Sequence, residues 1–217
     1  MAARDSIRPP RQARSRATLE RALQAGVEIL KEGDWEAFTV AEVCRRANVA
    51  MGSLYSRFPT KQALLLAVQA RLIAEFAEEE QAIFADPSWD ALDPPQTIAR
   101  AVREVGGFFN RHRAALAVLM ARGSQDPAIA LQGGATARRL GAQLEARLLA
   151  RAAGIVHPTP ERAAEVATRL LLDTLARQVS APPEFESAIP WDTMVEEMVV
   201  VLSSYLLNTA SPPVSQN

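Results

Sequence analysis

The chain has 217 residues, 48% of them apolar and 23% charged, which is ordinary for a globular protein and enough for one compact domain or two small ones. One cysteine excludes an internal disulfide, and two distant histidines make no zinc site by themselves. No apolar run reaches the about eighteen residues of a membrane span. The net charge of −1 conceals an asymmetry: eleven Lys and Arg face seven Asp and Glu through residue 65, and thirteen face eighteen thereafter. A basic head on an acidic body is the distribution expected of a chain that meets a polyanion at one end.

Residues 1–15 read as a flexible arginine-rich arm. The opening MAARDSIRPPRQARSR has no hydrophobic period and includes Arg4, Arg8, Arg11, Arg14 and Arg16. Such an arm reaches a minor groove or backbone phosphates, or it stays a solvated tail; both readings stand. It lacks the apolar core of a signal peptide, and a reducing cytoplasmic location is expected. A first helix follows over about 15–31, with Leu19, Leu23, Val27 and Leu30 on one face, and Gly33 ends it. Trp35 and Phe38 are expected to plug a small core.

The stretch from Phe38 to Lys61, FTVAEVCRRANVAMGSLYSRFPTK, encodes two short helices and the start of another. Thr39 is placed to cap the first, with Glu42 reaching back in a capping box and Phe38 and Val43 forming a staple. Val40, Val43, Cys44 and Ala47 make its buried face small, and Asn48 suits a left-handed turn. A second helix over about 50–58 has Leu54 and Phe58 as anchors; Pro59 ends it and Thr60 caps the next. Small residues at the crossing and a tight turn are what a helix-turn-helix needs, and the second helix then offers its polar face to a major groove.

These residues resemble the TetR family of bacterial transcriptional repressors. The likeness covers about 22–65, in ALQAGVEIL, EGDWEAFTV and VCRRANVAMGSLYSRFPTKQALL. Two positions depart from the family pattern: Asn48 stands in place of glycine, and Ala50 in place of a capping serine or threonine. By reach, Met51 and Ser53 are the candidates for base contacts, and Gly52 permits close approach. Thr39, Tyr55 and Arg57 resemble the family's phosphate-contacting positions, and Lys61 is a phosphate candidate on physical grounds. Lys61 in a first helical turn opposes the helix dipole, a penalty of ~0.3–1 kcal/mol that a phosphate would reverse. Arg45 and Arg46 read as solvated charges or backbone contacts.

A long helix over about 61–82 carries Leu64, Leu65, Val68, Leu72 and Phe76, with EFAEEEQ as its solvated end and ADPSWDALDPPQ as a loop. Further helices are expected over 95–111, 113–123, 127–153, 160–179 and 190–208. The fold class is therefore all-α: a three-helix DNA-binding domain over 16–62, and a helical effector-binding and dimerisation domain over 63–209, followed by a disordered tail over 210–217. Gly106-Gly107 and Gly133-Gly134 mark a kink, a break or a close approach. The last two helices carry more apolar residues than one core contact needs, which points to a homodimer formed through them. Paired heads would read a palindromic operator in double-stranded DNA.

The resemblance also implies a cavity for a small effector. Phe108, Phe109, Leu116, Met120 and Leu144 are candidate lining residues, with His112, Arg122 or Gln143 as polar handles. Few aromatics and no dense charge cluster suggest an apolar or weakly polar molecule. The alternative is a dimeric DNA-binding regulator with a solid body and no effector. No GxSxG, GxGxxG, Walker or HExxH motif occurs, so neither catalysis, a cofactor nor a metal is expected.

Overall fold

The computed structural model describes residues 11–181 and 189–208. Among them all regular structure is helical: α1 (Arg11–Glu32), α2 (Val40–Ala47), α3 (Met51–Tyr55), α4 (Lys61–Phe84), α5 (Pro94–Arg111), α6 (Arg113–Gly123), α7 (Pro127–Leu149), α8 (Pro160–Ser180) and α9 (Trp191–Leu207). Two compact units divide within α4, at Ala74 and Glu75.

The first unit is built on a core of Val27, Leu30, Phe38, Val43, Leu64, Leu65, Val68 and Leu72, all fully buried. Helix α1 crosses α4 closely at Gly26, where an added Cβ would lie 2.5 Å from Val68 Cγ2. Helix α1 begins at Arg11, four residues before the periodic apolar face suggests. Arg14 and Arg16 are exposed on its first turns, while Arg4 and Arg8 lie outside the described residues. Gly33 leaves the helix with φ 77°, the conformation that glycine adopts without steric cost.

The second unit is a layered helical body. Helix α5 packs on α9, α6 and α8 pack on α7, and α8 joins α9. Gly106 is the close approach of the first glycine pair, since a Cβ there would meet Val195 Cγ2 at 2.8 Å. Gly133 and Gly134 lie within α7, with no heavy atom within 4 Å of a Cβ at Gly133. Among the described residues neither pair breaks its helix.

Three sequence expectations need correction here. EFAEEEQ is not a solvated end: Glu80 is fully buried, and α4 continues to Phe84. The Arg139 guanidinium donates to both Glu80 oxygens at 2.8 and 3.1 Å, and Gln143 adds a bond at 3.2 Å. A buried carboxylate persists only with such partners, and they lie about sixty residues away. The proline-rich loop also contains a 3-10 turn, Pro87–Ala91, capped by Asp86. It seats Trp89 at 2% exposure, with its indole N–H donating to Ile83 O at 2.8 Å. Finally, α7 stops at Leu149 rather than near 153. Arg151 turns away to donate to the carbonyls of Trp89, Asp90 and Leu92, and Gly154 lies so near Pro94 that a Cβ would come within 2.4 Å.

Candidate nucleic-acid interface

Helix α2 has a sequence-local origin. Thr39 is extended (φ −123°, ψ 154°), and its side chain accepts from the Glu42 amide at 3.1 Å. The capping box is not completed, because the Glu42 carboxylate accepts from Arg45 and Arg46 instead, each at 2.7 Å. Charged donors outcompete a backbone amide for it. They also draw the carboxyl down to about 2. Arg46 reaches Glu32 as well, so it ties α2 to the end of α1. Arg45 remains 71% exposed on the outer face. Cys44 is buried, and burial pushes its thiol up, as suits a packing residue and not a nucleophile.

Asn48 makes the turn, at φ 51° and ψ 54°, and it is the one non-glycine residue of positive φ among the described residues. Its amide and that of Val49 donate back to Arg45 O and Cys44 O. Helix α3 then runs for only five residues, shorter than the 50–58 expected from sequence. The Ser56, Arg57 and Phe58 amides close a tight exit onto Gly52 O and Leu54 O. Ala50 occupies the cap position in extended conformation but supplies no side-chain bond.

The face of α3 is divided cleanly. Leu54 is 3% exposed, while Met51 and Tyr55 are 46% and 45% exposed. Gly52, Ser53, Ser56 and Arg57 are exposed beside them. An added Cβ at Gly52 would meet nothing within 4 Å, so no internal packing demands glycine there. Arg57 donates to Ser15 Oγ on α1, which brings the exit of α3 next to the basic start of α1. Thr39 is also exposed. The seven predicted contact residues thus lie on α3, in its exit turn, or at the starts of α2 and α4, in one unit.

Lys61 holds a position that its sequence context does not disclose. It sits half-buried in the first turn of α4 with its Nζ 3.8 Å above the Trp35 ring centroid. Trp35 stacks on fully buried Phe38, with centroids 5.8 Å apart and planes at 9°. Trp35 is therefore half-buried, not a core plug. Thr60 caps α4 by accepting from the Ala63 amide at 3.0 Å.

In the body, the candidate effector residues are distributed differently. Phe108, Phe109 and Leu144 are buried at 3%, 7% and 1% exposure, and His112, Leu116, Met120, Arg122 and Gln143 are half-buried. Phe76, Phe108 and His112 form one ring cluster, with centroids 4.5–5.2 Å apart. His112 Nε2 lies 2.6 Å from Glu79 Oε2. Phe108 also lines a narrow cleft with Glu80, Ile83, Phe84, Glu104, Val105 and Leu140. Gln143 lines a wider groove of about 320 Å³ with Gln81, Phe84, Ala85, Ala146 and Arg147. On α8 and α9, Val166, Leu170, Val200 and Val201 are 43–59% exposed. Among the described residues no group of acidic, His and Cys side chains could hold a metal ion, and no helix is long and apolar enough to cross a membrane.

Residues 22–68 match the family model described as bacterial regulatory proteins, tetR family. No curated protein gives a match to the chain. Solved structures do. Salmonella enterica GusR is 23% identical over 93% of this chain and 99% of its own, with a TM-score of 0.59. A TetR transcriptional regulator from Rhodococcus sp. is 22% identical over 87% of this chain and 97% of its own, at 0.53. The regulator FadR from Bacillus subtilis, solved in complex with stearoyl-CoA, is 13% identical over 87% and 99%, at 0.63. At these identities the likeness is one of fold, and it extends through both units.

Proposed function

We propose that residues 22–68, which match the tetR family model, form the helix-turn-helix head of a homodimeric, sequence-specific TetR-type repressor of a palindromic operator. The observation that carries this reading is the face of α3: one anchor, Leu54, turned inward, and an exposed row of Met51, Gly52, Ser53 and Tyr55. Met51 packs a thymine methyl and Ser53 bonds a base edge, while Gly52 lets the helix approach. Thr39, Tyr55, Arg57 and Lys61 take backbone phosphates and fix the register. Dimerisation through α8 and α9 is supported by the exposed Val166, Leu170, Val200 and Val201. That apolar surface has a natural cover in a second copy.

Release by a small apolar or weakly polar effector is the second half of the proposal. FadR, solved in complex with stearoyl-CoA, is a protein of this fold that holds a ligand with a long apolar chain, and Phe108, Phe109, His112, Leu116, Met120 and Leu144 are the residues we assign to an effector here. By linkage, an effector that weakens operator binding is itself bound more weakly by the operator complex, by the same factor. One observation favours the reading without an effector. The Phe76–Phe108–His112 rings are packed against one another, and Leu144 is 1% exposed, which is how a solid core looks.

The test is base preference measured on variants. Ser53→Ala or Met51→Ala is expected to change which base is favoured in each half-site. Tyr55→Phe and Lys61→Ala are expected to weaken all duplexes about equally. A preference unaltered by both of the first two would mean that another face of the head reads DNA.

A further inference from the structure

We propose that Trp35 is a positioning residue for DNA binding, its ring holding the Lys61 ammonium at the head of α4 for a backbone phosphate. The inference rests on the DNA-binding reading above and adds to it a residue that reaches no DNA itself.

The geometry is specific. The Nζ lies 3.8 Å above the ring centroid, well inside the about 6 Å over which an aromatic face attracts a cation. The ring is itself held in place, because it stacks on Phe38, which is fully buried. A rigid platform in the α1–α2 turn therefore sets the position of a side chain across the head, on the far side of α3 in sequence. Lysine otherwise has four rotatable bonds and the highest class of rotamer entropy to lose on binding.

The electrostatics point the same way. An ammonium in a first helical turn is opposed by the dipole of that helix. The negative π face offsets the opposition in the free protein. In the complex, a phosphate at the α4 N-terminus would face the helix amides and the ammonium together. A cation–π contact engages one side of an ammonium, so an aromatic ring and an anion can act on it at once. The ring thus contributes to keeping Lys61 at the helix head.

The experiment is a double-mutant cycle on the full-length protein with a selected duplex, read by fluorescence anisotropy at several salt concentrations. Trp35→Leu and Lys61→Ala are combined, and Trp35→Phe supplies the conservative rescue. Lys61→Ala is expected to reduce the dependence of log affinity on log salt by about one unit. Trp35→Leu is expected to weaken binding about two- to fivefold when Lys61 is present, and not measurably when it is absent. Trp35→Phe should fall between wild type and Trp35→Leu. Equal losses for Trp35→Leu in both backgrounds would assign the ring a purely structural role and overturn the proposal. So would a Trp35→Phe variant that keeps the wild-type melting temperature yet binds no better than Trp35→Leu. A wild-type protein that binds no duplex would instead defeat the DNA-binding reading, and the present inference with it.

Discussion

At the scale of single residues, two glycines illustrate how packing and function separate. Gly26 has no room for a side chain, since a Cβ would stand 2.5 Å from Val68 Cγ2 in the core. Gly26→Ala is expected to destabilise the head by about 1–3 kcal/mol through overpacking, visible as a lower melting temperature. Gly52 has open space around it, and Gly52→Ala should leave stability unchanged or raise it by up to ~1 kcal/mol. The same substitution should weaken operator binding, because the methyl group stands between helix and duplex. Unequal effects of this kind, read by calorimetry and by binding, locate the function of Gly52 outside the fold.

Glu42 offers a pH test. Arg45 and Arg46 hold its carboxyl at about 2, below the ordinary carboxylate value of an unfolded chain. A depressed folded-state value contributes stability above the unfolded value, and that contribution is lost as the pH falls through about 2. Glu42→Gln should therefore flatten the decline in melting temperature between pH ~4.5 and about 2. Its effect is modest because the group is solvent-exposed and screened. An acid limb as steep in the variant as in the wild type would show that the Arg45–Glu42–Arg46 cluster does not stabilise the head.

At the scale of elements, local signals were read well where the chemistry is local. Thr39 as a cap, Asn48 as a left-handed turn and Thr60 as the next cap are all decided within four residues, and the structure has each; Pro59 is not the stop, since α3 already ends at Tyr55. The capping box fails locally, to Arg45 and Arg46; the other departures occur where a distant partner decides. Glu80 reads as solvated because Arg139 and Gln143 are about sixty positions away. The contact of Lys61 with the Trp35 ring is hidden in the sequence because Trp35 lies in another element. Trp89 reads as loop because it lies within a proline-rich break, yet its ring stacks on Phe84 at the end of α4 and is buried. Helix α3 carries a directly testable weakness. Ala50 already has the extended backbone of a cap, φ −71° and ψ 136°, but no side-chain acceptor. Ala50→Ser is expected to stabilise the head by about 0.5–1 kcal/mol, and an unchanged melting temperature would mean that the short helix is held by Leu54 and its exit turn alone.

At the scale of the whole molecule, charge and the spacing of apolar residues suggest a head and a body with a boundary at 62, whereas the two compact units divide within α4, at Ala74 and Glu75. The body's purpose was less legible. Its candidate effector residues are apolar and helical, and the same pattern serves a ligand cavity or a packed core; only the packing of Phe76, Phe108 and His112 bears on the choice. The exposed valines and leucine of α8 and α9 are easier to interpret, because an apolar surface of that kind on two adjacent helices fits an isologous contact. A dimer in turn places two copies of α3 on one duplex, and this is where the account is most exposed to test. The decisive measurement is selection of bound duplexes from a random pool, followed by a salt titration and a stoichiometry determination on the recovered sequence. The account predicts a palindrome, bound by an even number of protomers, with affinity falling steeply as salt rises. Recovery of unrelated sequences bound without preference, or of a single half-site bound by one protomer, would contradict it.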